Sequence, residues 1–137
     1  MGIECSVCDY FEQATEFVVY VDGESCRFER AERGFADILL ALNEVSKDCH
    51  DMPAYGVVNN GEVEKAIKEG VWLEIVFGEP KSFREMPFEK LLLEVGEEYS
   101  GANLARFHDG VYEGRCFYLS FCNNMQKLYR LIHMLCA

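Results

Sequence analysis

Basic residues are scarce in this chain: 13 Lys and Arg stand against 24 Asp and Glu, for a formal net charge of −11. That deficit argues against a general binder of nucleic-acid backbones, because such binding needs clustered cations. It argues equally against docking on an anionic membrane surface. Proline is rare, with 3 residues, and tryptophan occurs once, at Trp72. No run reaches the roughly 20 apolar residues of a membrane-spanning helix. The opening MGIECSVCDYFEQ lacks a basic segment followed by an apolar core, so no secretory signal is expected. Phosphate-loop, dinucleotide, zincin and serine-hydrolase signatures are all missing. No nucleotide, metalloprotease or serine-hydrolase chemistry therefore has positive support, and no cofactor is expected.

What is present is a well-patterned core. Half of the 137 residues are hydrophobic, enough for one folded domain over 1–137. The 7 cysteines are odd in number, and Cys116, Cys122 and Cys136 fall in apolar sequence. They read as reduced thiols of a cytoplasmic protein, several serving as small core hydrophobes.

The strongest local signal lies near the end. Cys116–Cys122 (CFYLSFC) is a nearly continuous apolar run and reads as a strand covered on both faces. After Asn123-Asn124 the period changes. Met125, Leu128, Tyr129, Ile132, Leu135 and Cys136 recur at helical spacing, with Asn123 and Gln126 positioned as a capping box.

Earlier segments follow the same logic. Residues 3–14 suggest a short helix. EFVVYV, Asp22-Gly23 and ESCRFERA form a hairpin, because Gly tolerates the positive φ of a type I′ turn. Phe35, Ile38, Leu39, Leu42 and Val45 make one helical stripe. Residues 49–60 read as a connector, since Pro53 and Gly56 oppose a helix, and Asn59 then caps a second helix ended by Gly70. Val71–Phe77 alternates as a strand, Gly78–Pro87 reads as a loop, and Phe88–Val95 returns as a strand. Asn103–His108 and the strand from Val111 flank a second Asp-Gly turn at Asp109-Gly110. The expected fold is α+β: a mainly antiparallel, strongly bent sheet of about six strands, with helices packed on one face, in the order (α)ββαα-ββββα.

Three chemical readings follow. Trp72, Tyr55, Phe83, Arg84 and Met86 are residue types that interface centres favour, and they mark a candidate binding patch or dimer contact. The plainer reading is packing under a helix. Cys116 and His108, oriented by Asp109, are the best nucleophile–base set, although a thiol in an apolar run is usually inert. Cys5 and Cys8 form a C-x-x-C that Cys49 and His50 would have to complete as a zinc site. Without a second such pair, two thiols one turn apart on a helix is the simpler account. The expectation is a small binding protein without catalytic activity. Its partner would be another protein or a second copy of itself, rather than nucleic acid or a membrane.

Overall fold

The computed structural model describes residues 7–47, 50–58, 60–112, 114–121 and 124–136, and their side chains except at 50–58, 60 and 114–116. A 3-10 helix (Val7–Gln13) leads into β1 (Ala14–Val21), β2 (Glu24–Glu29) and α1 (Arg33–Ser46). Then come β3 (His50–Val58), α2 (Asn60–Ala66), β4 (Val71–Phe83) and β5 (Met86–Val95). The chain continues through β6 (Gly101–His108), β7 (Val111–Tyr112) and β8 (Gly114–Ser120) to α3 (Gln126–Leu135).

Both expected Asp-Gly hairpins form. Asp22 and Gly23 have φ of 48° and 90°, and Asp109 and Gly110 have 56° and 87°, as type I′ turns require. The strands build one curled antiparallel sheet in the order β2-β1-β4-β5-β6-β8-β3, with β7 alongside β6. This is the expected α+β architecture with a bent, mainly antiparallel sheet.

Two segments differ from the sequence reading. The connector over 49–60 contains β3, which pairs with β8 at one edge of the sheet. An edge position explains why Pro53 is tolerated there: a missing N–H costs no ladder bond when that side faces outward. The ladder also shifts register between Pro53 and Val57, next to Gly56. The second difference is at 78–87, where β4 and β5 continue as one long hairpin instead of a loop. Its turn is Arg84-Glu85, with φ of 51° and 66°. Gly78 and Pro80 fall where the β4–β5 register shifts, between Val76 and Lys81, so they mark an irregularity within the hairpin.

The period-two alternation divides the sheet into two buried surfaces. On the first, Phe17, Leu73, Ile75, Leu91, Leu93, Leu104 and Phe117 are essentially fully buried. They pack with Ile38 and Leu42 of α1, Leu128 and Ile132 of α3, and Phe11 of the 3-10 helix. Each such side chain contributes about 1.5–3 kcal/mol of apolar burial. Most helices therefore share one face, as expected. The short α2 lies against the other face, where Val63 packs with Leu92, Ala105 and Tyr112.

Helix boundaries rest partly on side chains. Asn124 Oδ1 accepts the Gln126 backbone N–H at 3.2 Å, at the start of α3. The expected caps Asn59 and Asn123 lie outside the described residues. The tip of the first hairpin is tied across the sheet end: Asp22 N–H donates to the Gly70 carbonyl at 2.9 Å, and Gly70 N–H donates to Asp22 Oδ1 at 3.0 Å. These bonds set where β4 begins.

The cysteine expectation needs correcting. Cys26 of β2 and Cys136, just after α3, form a disulfide across a sequence separation of 110. They are therefore not both free thiols. Their spacing gave no hint, because the fold, not the sequence, brings an edge strand and the chain's last helix together.

Candidate functional site

The second face of the sheet holds the most unusual chemistry among the described residues. Glu74 sits on β4 in the alternation that also points Trp72 and Val76 away from the main core. Its neighbours in register are Val18 of β1 and Leu92 of β5, both buried. Glu74 itself is only 8% exposed. A carboxylate so placed must find hydrogen-bond donors or bear a desolvation cost of several kcal/mol, on the order of 2–7 for a polar group. Two phenols supply them. Tyr112 donates to Oε2 at 2.5 Å and Tyr20 to Oε1 at 3.4 Å.

The pair of phenols is held in its protonated form. Burial is the largest cause of the rise at Tyr20, followed by the charge and hydrogen bond of Glu74; Arg27 pulls back slightly, and the phenol is pushed up to about 12. Burial, then the charge and hydrogen bond of Glu74, raises Tyr112 well above the ordinary phenol range. At neutral pH both hydroxyls are donors. Neither is primed as a nucleophile or a base, so the cluster is suited to holding charge in place, not to moving protons.

Beside this cluster lies a cleft of about 210 Å³ between α2 and strands β4, β5 and β6. Val63, Ala66, Leu92 and Ala105 give it an apolar floor and wall, with Trp72 at one side. Glu62, Glu94 and Asn103 supply its polar groups, and no Lys or Arg lines it among the described residues. Trp72 and Glu94 are directly paired across β4 and β5. The indole N–H donates to the Glu69 carbonyl at 2.9 Å, which fixes the ring where α2 hands over to β4. A larger hollow of about 490 Å³ lies between the end of α1 and the start of α3. Its wall carries the long, exposed Lys127–Glu44 contact of 3.7 Å, and it presents no comparable convergence of aromatic and buried polar groups.

The proposed binding patch is divided by the sheet. Trp72 joins the cluster on the second face, whereas Phe83 is buried in the main core. There Phe83 meets Tyr10 and Phe117 edge-on, with ring centroids at 6.2 and 5.6 Å. The Arg84 guanidinium lies 4.9 Å from the Phe83 ring centroid, and Met86 packs half-buried against the same core. The Tyr55 side chain lies outside the described residues.

The candidate nucleophile–base set is only partly visible. His108 Nδ1 lies 2.7 Å from Glu89 Oε2, and the Asp109 backbone N–H donates to the other oxygen of Glu89 at 3.1 Å. The imidazole partner is therefore Glu89 of β5, a residue that sequence reasoning passed over, and the Asp109 group engaged there is its backbone amide. His108 pairs in register with Val111 across the turn. Cys116 lies on β8, and its side chain is outside the described residues. Of the candidate zinc ligands, Cys8 is buried in the main core. Cys5, Cys49 and the His50 side chain lie outside the described residues. Among the described residues, no group of three His, Cys, Asp or Glu side chains converges as a metal site. No described helix is long and apolar enough to cross a membrane.

No family model, no curated protein and no solved structure matches this chain.

Proposed function

We propose that this protein is a binding domain without catalytic machinery of its own, and that its ligand enters the cleft under α2. The observation that carries this reading is the convergence of an apolar floor, an indole and several polar side chains on one small concavity. Ligand sites generally combine a largely apolar lining with a few placed polar groups. A thermal-shift screen of small molecules tests it. Ligands should raise the melting temperature of the native protein, and Ala66→Phe, which fills the cleft from a half-exposed position, should abolish the effect. Hits that survive Ala66→Phe unchanged would move the site elsewhere.

A second observation favours self-association. Leu40 of α1 and Met134 of α3 are 63% and 71% exposed, and both belong to the helical layer. Large exposed apolar side chains there suit a contact between two copies of the chain. Light scattering of the native protein and of a Leu40→Glu/Met134→Glu variant tests this. A monomer in both would remove it.

The sequence suggests a cytoplasmic setting, whereas a Cys26–Cys136 bridge suits an oxidising compartment. Thiol trapping at cell lysis, followed by non-reducing electrophoresis, decides between the two.

A further inference from the structure

We infer that the cleft under α2 binds a neutral sugar, the end unit of a short oligosaccharide that continues along the sheet toward Tyr118. This rests on the cleft being the binding site and adds the chemical class and length of its ligand.

The sheet registers place one row of side chains across the second face. Tyr20 of β1 pairs with Trp72 of β4, and Trp72 pairs with Glu94 of β5. Asn103 of β6 pairs with Tyr118 of β8. Asn103 is two residues from Ala105, which packs with Val63 of α2, so Asn103 and Tyr118 share the face that carries Trp72. Between the two halves of the row the sheet opens. The β5–β6 ladder runs from Lys90–Phe107 to Leu93–Leu104 and stops short of Glu94 and Asn103. Both of these residues line the cleft, which therefore occupies the parting of the two strands.

The chemistry of the row fits a sugar ring. A pyranose carries C–H bonds on its faces and hydroxyls around its edge. The faces suit flat apolar surface, and polarised C–H groups are drawn to the negative face of an aromatic ring. The hydroxyls need acceptors and donors side by side. Trp72 supplies the aromatic surface and Leu92 and Ala105 an apolar floor. Glu94 adds acceptor oxygens, and the Asn103 amide both donates and accepts. Among the described residues neither of these two side chains is engaged in a hydrogen bond. The indole is already fixed by its bond to the Glu69 carbonyl, so the platform is set before a ligand arrives. No Lys or Arg among the described residues lines the cleft, so a sugar phosphate would find no counter-charge there. At about 210 Å³ the cleft is smaller than the roughly 300–1,000 Å³ of drug-sized sites, which suits a single ring.

Tyr118 sets the length. Its side chain is 38% exposed and lies against β6 over Gly101, where a β-carbon would stand 2.6 Å from the phenol oxygen. Three strand spacings, roughly 14 Å in all, separate Tyr118 from Trp72. One ring cannot reach both. A chain of a few sugar units can, with its end unit in the cleft and a later unit stacked on Tyr118.

The single tryptophan makes the test direct, because all indole fluorescence comes from the cleft wall. The native protein is titrated with glucose, mannose and N-acetylglucosamine, and with maltotriose, cellotriose, mannotriose and chitotriose. Cyclohexanol serves as a ring of similar size with a single hydroxyl. The expected result is saturable change with one sugar type, its trisaccharide binding about fivefold or more tighter than its monosaccharide, and cyclohexanol weaker than both. Asn103→Ala should weaken mono- and trisaccharide alike, about three- to tenfold for the lost hydrogen bonds. Tyr118→Ala should leave the monosaccharide unchanged and remove the advantage of the trisaccharide. If that advantage survives Tyr118→Ala, the path along the sheet is overturned. If cyclohexanol binds as tightly as any sugar and Asn103→Ala changes nothing, the sugar assignment is overturned while the cleft remains a binding site. If no sugar alters the fluorescence, and calorimetry of the same mixtures shows no heat, the sugar assignment fails, and the Ala66→Phe screen alone then decides the cleft reading.

Discussion

The hydroxyl of Tyr112 lies 2.5 Å from the buried carboxylate of Glu74, joining residues 38 positions apart on β7 and β4. Removing that hydroxyl leaves an acceptor buried with one fewer donor. Tyr112→Phe should therefore destabilise the fold by about 1–3 kcal/mol, read as a lower urea midpoint at unchanged slope. An unchanged midpoint would show that the bond contributes nothing net.

The same cluster predicts an alkaline limit. Tyr20 is raised from its ordinary value of 10.0 to about 12, and Tyr112 is raised as well. Above pH 10 the unfolded chain releases these phenolic protons while the folded chain retains them. The contribution to stability is then complete below pH 10 and declines as pH climbs toward 12. Circular dichroism through this range should show stability falling with pH. Tyr20→Phe and Tyr112→Phe should each flatten the slope; an identical slope in both would rule out these two phenols as its source.

The Cys26–Cys136 bridge closes a loop spanning 110 positions. In the chain-entropy account, opening a loop near 100 residues removes up to about 4.7 kcal/mol. Dithiothreitol should lower the melting temperature, and Cys136→Ser should reproduce the drop and be insensitive to reductant. Equal melting temperatures with and without reductant would contradict the bridge.

Glu85 holds a φ of 66° in the β4–β5 turn, and Arg84 before it holds 51°. Left-handed backbone costs a residue with a Cβ roughly 1–2 kcal/mol, and glycine recovers part of this against its larger unfolded-state entropy. Glu85→Gly should stabilise the protein by about 0.5–1 kcal/mol net. Arg84 stays native in this test, because its guanidinium covers the Phe83 ring. A loss of stability would mean that the Glu85 side chain makes a contribution larger than the strain.

Gly34, in the first turn of α1, sets two effects against each other. Alanine there would gain up to ~1 kcal/mol of helix propensity. Its Cβ, however, would stand 2.4 Å from Cδ1 and 2.6 Å from Cε1 of Phe28. Such overlap displaces the ring, at a typical cost of about 1–3 kcal/mol. Gly34→Ala should be net destabilising. A stabilised variant would mean that Phe28 swings aside freely.

Local chemistry was legible in the sequence, and distant pairing was not. Asp22-Gly23 and Asp109-Gly110 announce their turns because glycine suits the backbone angle that the turn imposes. The stripe Phe35, Ile38, Leu42 and Val45 announces α1 because its spacing matches the helical period. Arg84-Glu85 carries no such mark; the hairpin around it is held by the burial of Phe83 and Phe88 against Phe117. Pro53 reads as a breaker until the edge position of β3 is known. Trp72 was singled out for its residue type. By the alternation of Val71–Phe77 alone, Glu74 falls at an outward position of a strand. Only the arrival of Tyr112 and of α2 over that face makes it a buried carboxylate. The alternation of Val71–Phe77 placed Glu74 correctly away from the main core, and that was the one available signal.

The sulfur bridge also alters how this domain would bear mechanical load. Tension applied on either side of the stretch from Cys26 to Cys136 would pass through β1 and the start of β2 and then across the two sulfur atoms. Everything between them, including β4, β5 and the cleft, would lie off the force path. With the bridge closed, stretching could peel β1 away and go little further. With it reduced, the same pull would unravel the sheet from its other end as well.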